Sequence, residues 1–504
     1  MSFNIVAFIE YINREKKYHI DASYYSNIEK WRQWWEGYVP KIHEIIEANG
    51  SNQPVKRKMA SLRMAKKGCE DWANLLLNDR TTLQIGDKKT ETYLLGDNEQ
   101  QTGGLLRELN FWPNANKLVE QAFWSGTGAF VLGLENFKMD STGAILPSQN
   151  ADAKIVLDYD PASGILPIRV ERGIVKDAAF ASEIYIDGKP CVYLQTYTEA
   201  QNGIEIRNEF FQTTDGSSGT PTFTPRERPP GMVENLTIRK DSPRWFSIFS
   251  PAAAKNIDGG AGLGMSVFSE ALDEMQAVDY AFDNYRQDII LGGKKIFYDR
   301  DICEKYIGTD NKEHTLTPDM TRRQQFYSLP KKEGSLDAAS EWHEYNPDLR
   351  VQENHQAVQD ALDYFSFKIG LGCKYYRFDY GNVSTATEYV GSRQDLIASA
   401  NKNQIQIEAA LVGIVRAILW TAKNMLGKDV DPDTSISINW DDSYITDAET
   451  RITQMRADAL GGLIPKYKYL SARYGISEEE ARQWATEAQA DAQPQETLKF
   501  GGDA

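Results

Sequence analysis

Adjacent carboxylates at Asp441-Asp442 are the kind of pair a metal-dependent nuclease uses to hold a divalent cation. Paired acids in a turn before a helix more often serve as caps, which is the reading preferred here. A glycine cluster, Gly259, Gly260, Gly262 and Gly264, has the composition of a phosphate cradle. A P-loop requires Gly-Lys-Ser/Thr at the mouth of a helix, whereas Gly264 is followed by Met265, Ser266 and Val267. The cluster therefore reads as a flexible joint before a helix. Cys69, Cys191, Cys303 and Cys373 lie far apart and form no CxxC pair, and the five histidines do not sit at zinc spacing. No metal, no cofactor and no catalytic triad is expected, and the chain reads as a non-enzyme.

One segment keeps a chemical signature of its own. Cys373–Ser384 holds Lys374, Tyr375, Tyr376, Arg377, Phe378 and Tyr380, an aromatic and basic loop in an acidic protein. Such residues suit weak contact with a nucleic-acid backbone and, equally, packing of neighbouring loops against one another. The whole chain carries a formal charge of −16. DNA-gripping proteins gain affinity from Lys and Arg that displace counterions. This chain either ignores nucleic acid or meets it without gripping.

The elements that must position these residues follow from periodicity. With 504 residues there is room for several packed regions. Residues 1–50 read as helical, with Tyr24, Tyr25, Ile28, Trp31, Trp34 and Trp35 crowded in one segment. Residues 54–77 read as a helix with a basic, solvated start from Lys56 to Lys67. Between 80 and 250, β-type runs (Ala153–Tyr159, Ile165–Glu171, Glu183–Tyr185, Val192–Tyr197, Ile204–Phe211) alternate with turn residues such as Asp187-Gly188 and Asn202-Gly203. Thr213–Pro230 reads as an exposed loop.

Ser266–Leu291 contains no Gly or Pro, and Leu272, Met275, Val278, Phe282, Tyr285 and Ile289 form one apolar stripe. This predicts a helix about 39 Å long. Glu270, Asp273, Asn284 and Asp288 fall opposite the stripe, and Arg286 is its only cation. A second helix is predicted over Asp348–Ile369, with Val351, His355, Val358, Leu362, Phe365 and Ile369 on its seam. His355 there reads as a packed histidine. Between the two lie β-type runs at Lys295–Tyr298 and Gln325–Leu329. The pair therefore looks antiparallel, with a small module at its tip. Thr385-x-x-Glu388 is a capping box that opens a helix reaching towards Met425, about 60 Å if unbroken. A short strand at Ile436–Trp440 and three helices, two of them opened by Thr446-x-x-Glu449 and Ser477-x-x-Glu480, complete the chain. The N-terminus is too mixed for a signal peptide, and no run approaches the roughly 18 apolar residues of a membrane helix. A soluble protein without a membrane partner is expected.

The order of these parts resembles the portal proteins of long-tailed phages that infect Gram-positive bacteria. The likeness is carried by Tyr24–Gly37, Lys58–Arg80, Gly264–Gly293, Thr385-Ala-Thr-Glu388, Asn439-Trp-Asp-Asp-Ser443 with Ile445-Thr-Asp447, and the C-terminal helices separated by glycines. It covers nearly the whole chain, and its specificity lies in the ordered set. The resemblance implies an α+β portal fold: a wing over 1–265 and 385–445, stem helices over 266–293 and 348–371, and a clip over 294–347. A tunnel loop over 372–384 and a crown with a C-terminal tail over 446–504 complete it. It implies a homo-oligomeric ring, usually of twelve, at one capsid vertex of the virion, assembled in the host cytoplasm. Double-stranded DNA would pass through it during packaging and ejection. The implied partners are the terminase large subunit, a head–tail adaptor, and the major capsid and scaffolding proteins. Lys374, Tyr375, Tyr376, Arg377, Phe378 and Tyr380 would face the channel, and Glu270, Asp273 and Asp288 would line the stem. A wall of carboxylates would repel phosphates and leave DNA free to slide. The competing expectations are an ATPase or nuclease subunit of the packaging machinery and another ring-forming tail component.

Overall fold

The computed structural model describes residues 4–48, 53–97, 102–139, 145–150, 152–215, 220–299, 305–315, 326–329, 342–378, 394–441, 448–474 and 476–491. The fold is α+β. Helices α1 (Ile5–Lys16) and α2 (Tyr25–Glu36) bury Phe8, Ile9, Tyr24, Tyr25, Trp31 and Trp34. The N-terminal region is not helical throughout, because Glu44–Ala48 is a strand, β1, paired antiparallel with β2 (Pro54–Lys58). The basic run expected on a helix is thus half strand. Its cations instead meet acids across the hairpin, Lys56 with Glu44 and Arg57 with Glu47, the cross-strand pairing that a helix would not offer. The helix proper, α3 (Met64–Leu76), starts later and buries Cys69 and Trp72.

Strand β3 (Thr82–Ile85), α4 (Lys88–Leu95) and α5 (Phe111–Ser125) lead into a three-stranded sheet of β4 (Gly128–Glu135), β5 (Lys154–Pro161) and, later in the chain, β12. An antiparallel six-stranded sheet separates β5 from β12. It comprises β6 (Ile165–Glu171), β7 (Ile174–Ile186), β8 (Lys189–Ala200), β9 (Gly203–Asp215), β10 (Pro221–Arg226) and β11 (Asn235–Arg239). Arg172-Gly173 and Asp187-Gly188 have positive φ at both positions, as two-residue hairpin turns demand. The long β9 pairs β11 along its first half and β10 along its second. Within the stretch expected as a loop, Thr213–Asp215 and Pro221–Arg226 are therefore paired strand, and Phe223 packs edge-on against Phe8 at 5.1 Å, a partner that a composition reading as exposed does not reveal. After β12 (Phe246–Phe249) the glycine cluster is a packed joint, not a flexible one. Gly260, at φ +55°, lies under the Tyr24 ring, where a Cβ would come within 2.4 Å of ring carbon.

Helix α6 spans Leu272–Leu291, about 30 Å, shorter than expected. Ser266–Ala271 runs in turns instead. The Ser266 hydroxyl donates to the Phe123 carbonyl and accepts from the Phe268 amide, and Phe268 is buried. Local side-chain bonding of this kind competes with helix. The tip module holds β13 (Lys295–Asp299), β14 (Lys305–Ile307), β15 (Glu313–Thr315), β16 (Phe326–Leu329) and β17 (Trp342–Tyr345). Here β13 pairs β16 in parallel and β17 antiparallel. Helix α7 (Val351–Lys368) returns along α6. On its seam Val358, Leu362, Phe365 and Ile369 are buried, but His355 is half-buried and Val351 exposed.

Helix α8 (Gln394–Leu426) runs against β12, β4 and α3, and buries Ile407, Leu411, Ile414, Val415, Ile418 and Leu419. It is long and apolar enough to cross a membrane by length and composition, contrary to the sequence expectation, but 61% of its most apolar window is buried within the protein. Glu408, Arg416 and Lys423 interrupt its apolar stretches, and Gly413 lets it approach β12, where a Cβ would come within 2.9 Å of the Ser247 hydroxyl. Strand β18 (Ile436–Asn439) pairs β3. Helices α9 (Ala448–Leu460), α10 (Lys466–Tyr474) and α11 (Glu478–Asp491) end the described chain, with the Glu480 amide bonded to the Ser477 hydroxyl as its capping box requires. The Thr385 capping box, Cys303 and Asp442 lie outside the described residues.

Candidate functional site

The antiparallel pair is held by a buried strip and two ion pairs. Met275 and Val278 of α6 and Val358, Leu362 and Phe365 of α7 are buried. At one end Asp288 accepts from the Arg350 amide (3.2 Å), the Arg350 guanidinium (2.9 Å) and Asn354 Nδ2 (3.0 Å). At the other end Lys368 lies 3.7 Å from Glu274. The Arg350 hydrogen bond holds the Asp288 carboxyl below the usual carboxylate range. Of the three acids expected along a channel, Asp288 thus points into the helix pair. Glu270 precedes the helix and accepts from Asn256 Nδ2 at 2.8 Å, and Asp273 is exposed in the first turn of α6.

Two acids escaped sequence reasoning. Asp279 and Asp283, one turn apart on α6, are buried. Asp279 Oδ1 accepts from the Leu62 amide (2.8 Å), and its Oδ2 lies 3.0 Å from His43 Nε2. The Val39 amide donates to His43 Nδ1, so Nε2 carries the hydrogen directed at Asp279. Asp283 accepts from the Ala60 amide at 3.0 Å and pairs with Arg57 at 2.9 Å. These acids stitch the base of the β1–β2 hairpin to α6. The signal was present as two carboxylates at i and i+4 flanking Val278 and Phe282, but acids on a helix read first as solvated.

The loop after α7 divides in two. Gly370, Gly372 and Lys374 all have positive φ, which turns the chain sharply. Tyr376 donates its hydroxyl to Asp71 Oδ2 (2.9 Å), stacks on Phe365 (6.1 Å between centroids), and its carbonyl accepts from Gln359 Nε2 at 2.6 Å. Burial, then the Asp71 carboxylate, pushes the phenol far up and keeps it a donor. Tyr375 packs edge-on to Tyr376 at 5.0 Å. Lys374, Arg377 and Phe378 are exposed, Phe378 at 62%. Tyr380 lies outside the described residues. The loop root is tied to α3 by Trp72 Nε1, which donates to the Ile369 carbonyl at 3.1 Å.

Asp441 accepts from Asn78 Nδ2 at 2.7 Å, a structural bond between the chain that follows α3 and the chain that follows β18. Among the described residues no three His, Cys, Asp or Glu side chains converge as metal ligands, and Cys69, Cys191 and Cys373 are free thiols.

A family model described as "Phage portal protein, SPP1 Gp6-like" matches residues 345–494, the span from the end of the tip module through α7, the loop, α8 and the C-terminal helices. No curated protein matches the chain. Among solved structures, a chain of "Neck of native GTA particle computed with C12 symmetry" is 11% identical with a TM-score of 0.34, covering 83% of this chain and 88% of its own. A chain of "Virion of native gene transfer agent (GTA) particle" is 12% identical with a TM-score of 0.34, covering 82% and 89% respectively. Over residues 345–494 the chain is therefore similar to the phage portal proteins, the family that the sequence itself resembles.

Proposed function

We propose that the protein assembles as a ring at one capsid vertex and forms the conduit through which double-stranded DNA is packaged and ejected, without enzymatic activity of its own. The observation that carries this reading is the antiparallel α6–α7 pair, bridged by a small β module at one end and followed at the other by a loop that exposes Lys374 and Arg377. In this reading α6 and α7 are the stem, residues 294–347 the clip, and 372–384 the tunnel loop. The mixed region before α6, with α8 and β18, is the wing, and the helices after Thr446 are the crown. Terminase docks on the clip during packaging, and a head–tail adaptor later takes its place. Capsid and scaffolding proteins meet the wing.

The electrostatics support transit over capture. A ring of chains each carrying −16 gives phosphates no extended cationic track. Lys374 and Arg377, on a root fixed by Tyr376, supply brief backbone contacts instead. Negative-stain images of the purified chain should show an elongated ring with a through-channel. A strictly monomeric protein at high concentration, or one that hydrolyses ATP or cuts DNA, would overturn the reading.

A further inference from the structure

We propose that each subunit contact in the ring is an ion-paired socket: a cation-rimmed pocket beside α6 receives the acidic outer face of α7 from a second copy of the chain. The inference rests on the ring reading above and names the residues that would close it.

The pocket, about 350 Å³, lies between α6 and the base of the β1–β2 hairpin. Met59 and Phe282 supply apolar lining, and Lys58, Arg63 and Arg286 supply cations. Three cations around one hollow are conspicuous in a chain of net −16. Lys58 sits over the Tyr38 ring at 4.5 Å, and among the described residues no carboxylate ion-pairs with Lys58, Arg63 or Arg286. The hollow is pre-shaped, because the Ala60 and Leu62 amides are fixed by Asp283 and Asp279. Preorganised sites lose less entropy on binding.

The complementary surface is on the same molecule but cannot reach its own pocket. On α7, Glu353, Gln356, Asp360, Tyr364 and Phe367 recur at spacings of three and four and are all exposed. Tyr364 is 68% and Phe367 56% exposed, unusual for aromatics with nothing to cover them. The Asp288–Arg350 and Glu274–Lys368 pairs fix the register of the two helices. Arg286 therefore stands level with the turn around Asn354–Gln356, and Phe282 level with Val358–Asp360. At about 100° per residue, Asp279, Asp283 and Arg286 point away from α7, while Gln356, Asp360 and Phe367 point away from α6. Socket and acidic stripe therefore lie at one height on opposite sides of the pair. A contact between unlike surfaces on opposite sides repeats from copy to copy, and closes when the rotation allows. Charge complementarity at such a contact sets register more than affinity.

The test uses the full-length chain with Cys303→Ser and Cys373→Ser, so that the only remaining native thiols are the buried Cys69 and Cys191. Copies carrying Arg286→Cys, mixed with copies carrying Asp360→Cys, should form disulfide-linked dimers on mild oxidation, while neither variant alone does so. Independently, Arg286→Glu should cut the ring fraction in native mass spectra about tenfold, the equivalent of 1.4 kcal/mol, and Asp360→Arg on the same chain should restore it. Absence of the cross-link, with Arg286→Glu rings as abundant as wild type, would overturn the socket. So would Arg286→Glu rings that assemble normally but fail to retain DNA, since the cations would then face phosphate. If the wild-type chain forms no ring, the underlying reading fails first, and the two failures are told apart.

Discussion

The region built on α5, α8 and β4, which we propose as the wing, and the α6–α7 pair, which we propose as the stem, solve the burial problem in opposite ways. In the wing, α5, α8 and β4 close over Phe123, Phe130, Leu132, Ile414 and Ile418, all without exposed surface. In the stem, Ile290, Leu291, Tyr364 and Phe367 remain more than half exposed, and the deepest side chains of α6 after Val278 are Asp279 and Asp283. The wing is complete within one chain. The α6–α7 pair leaves that apolar surface open, and beyond Val278 the buried side chains of α6 are held by hydrogen bonds.

The sharpest way to break this comparison is truncation on both sides. Phe130→Ala should cost about 3–5 kcal/mol in urea unfolding of the monomer, whereas Phe367→Ala should change it by no more than about 0.5 kcal/mol. Equal losses would mean that the stem is as self-contained as the wing. Next in size, Asp279→Ala should cost about 2–3 kcal/mol, because the half-buried Leu62 amide and the buried His43 lose their acceptor. Hydrogen exchange at the Ala60 and Leu62 amides would then quicken ahead of the wing amides. If the loss is spread evenly, the acids are not what holds the hairpin base.

The loop after α7 offers a smaller contrast. Tyr376→Phe should cost about 1 kcal/mol through the lost Asp71 bond. Lys374→Ala with Arg377→Ala should leave the melting temperature unchanged while impairing DNA packaging or retention, and loss of rings in that double variant would make the loop an interface. The smallest effect is a pH response within the wing. Burial, and then the like charge of Asp158, pushes Asp160 up to about 7. A carboxyl with a raised pKa stabilises the fold below its unfolded value near 3.8, and that contribution is lost as pH rises through about 7. Thermal melts from pH 4 to 8 should therefore fall less steeply for Asp160→Asn than for wild type.

Much of this division was legible in the residues. The apolar stripes of α6 and α7, the hairpin turn at Asp187-Gly188 and the Ser477 capping box all carry local chemistry that only one conformation satisfies. What escaped depends on partners far along the chain. Strands β1 and β2 pair with charges facing one another across them, and Phe223 of β10 finds Phe8, more than two hundred residues earlier. Within the site, the aromatic and basic types of the loop were readable, but not that Tyr376 faces inward to Asp71 while Arg377 faces outward. No spacing rule connects residue 376 to residue 71.

The position of α8 has a consequence for synthesis. Its partners β4 and β12 emerge more than a hundred residues before it, with their apolar faces formed and bare. Until Leu426 has left the ribosome, the face of β4 and β12 that α8 covers stays open, the situation in which chains stick to one another. Timing on the ribosome, and the holdases that meet it there, would then govern the yield of functional subunits as much as the strength of the finished core.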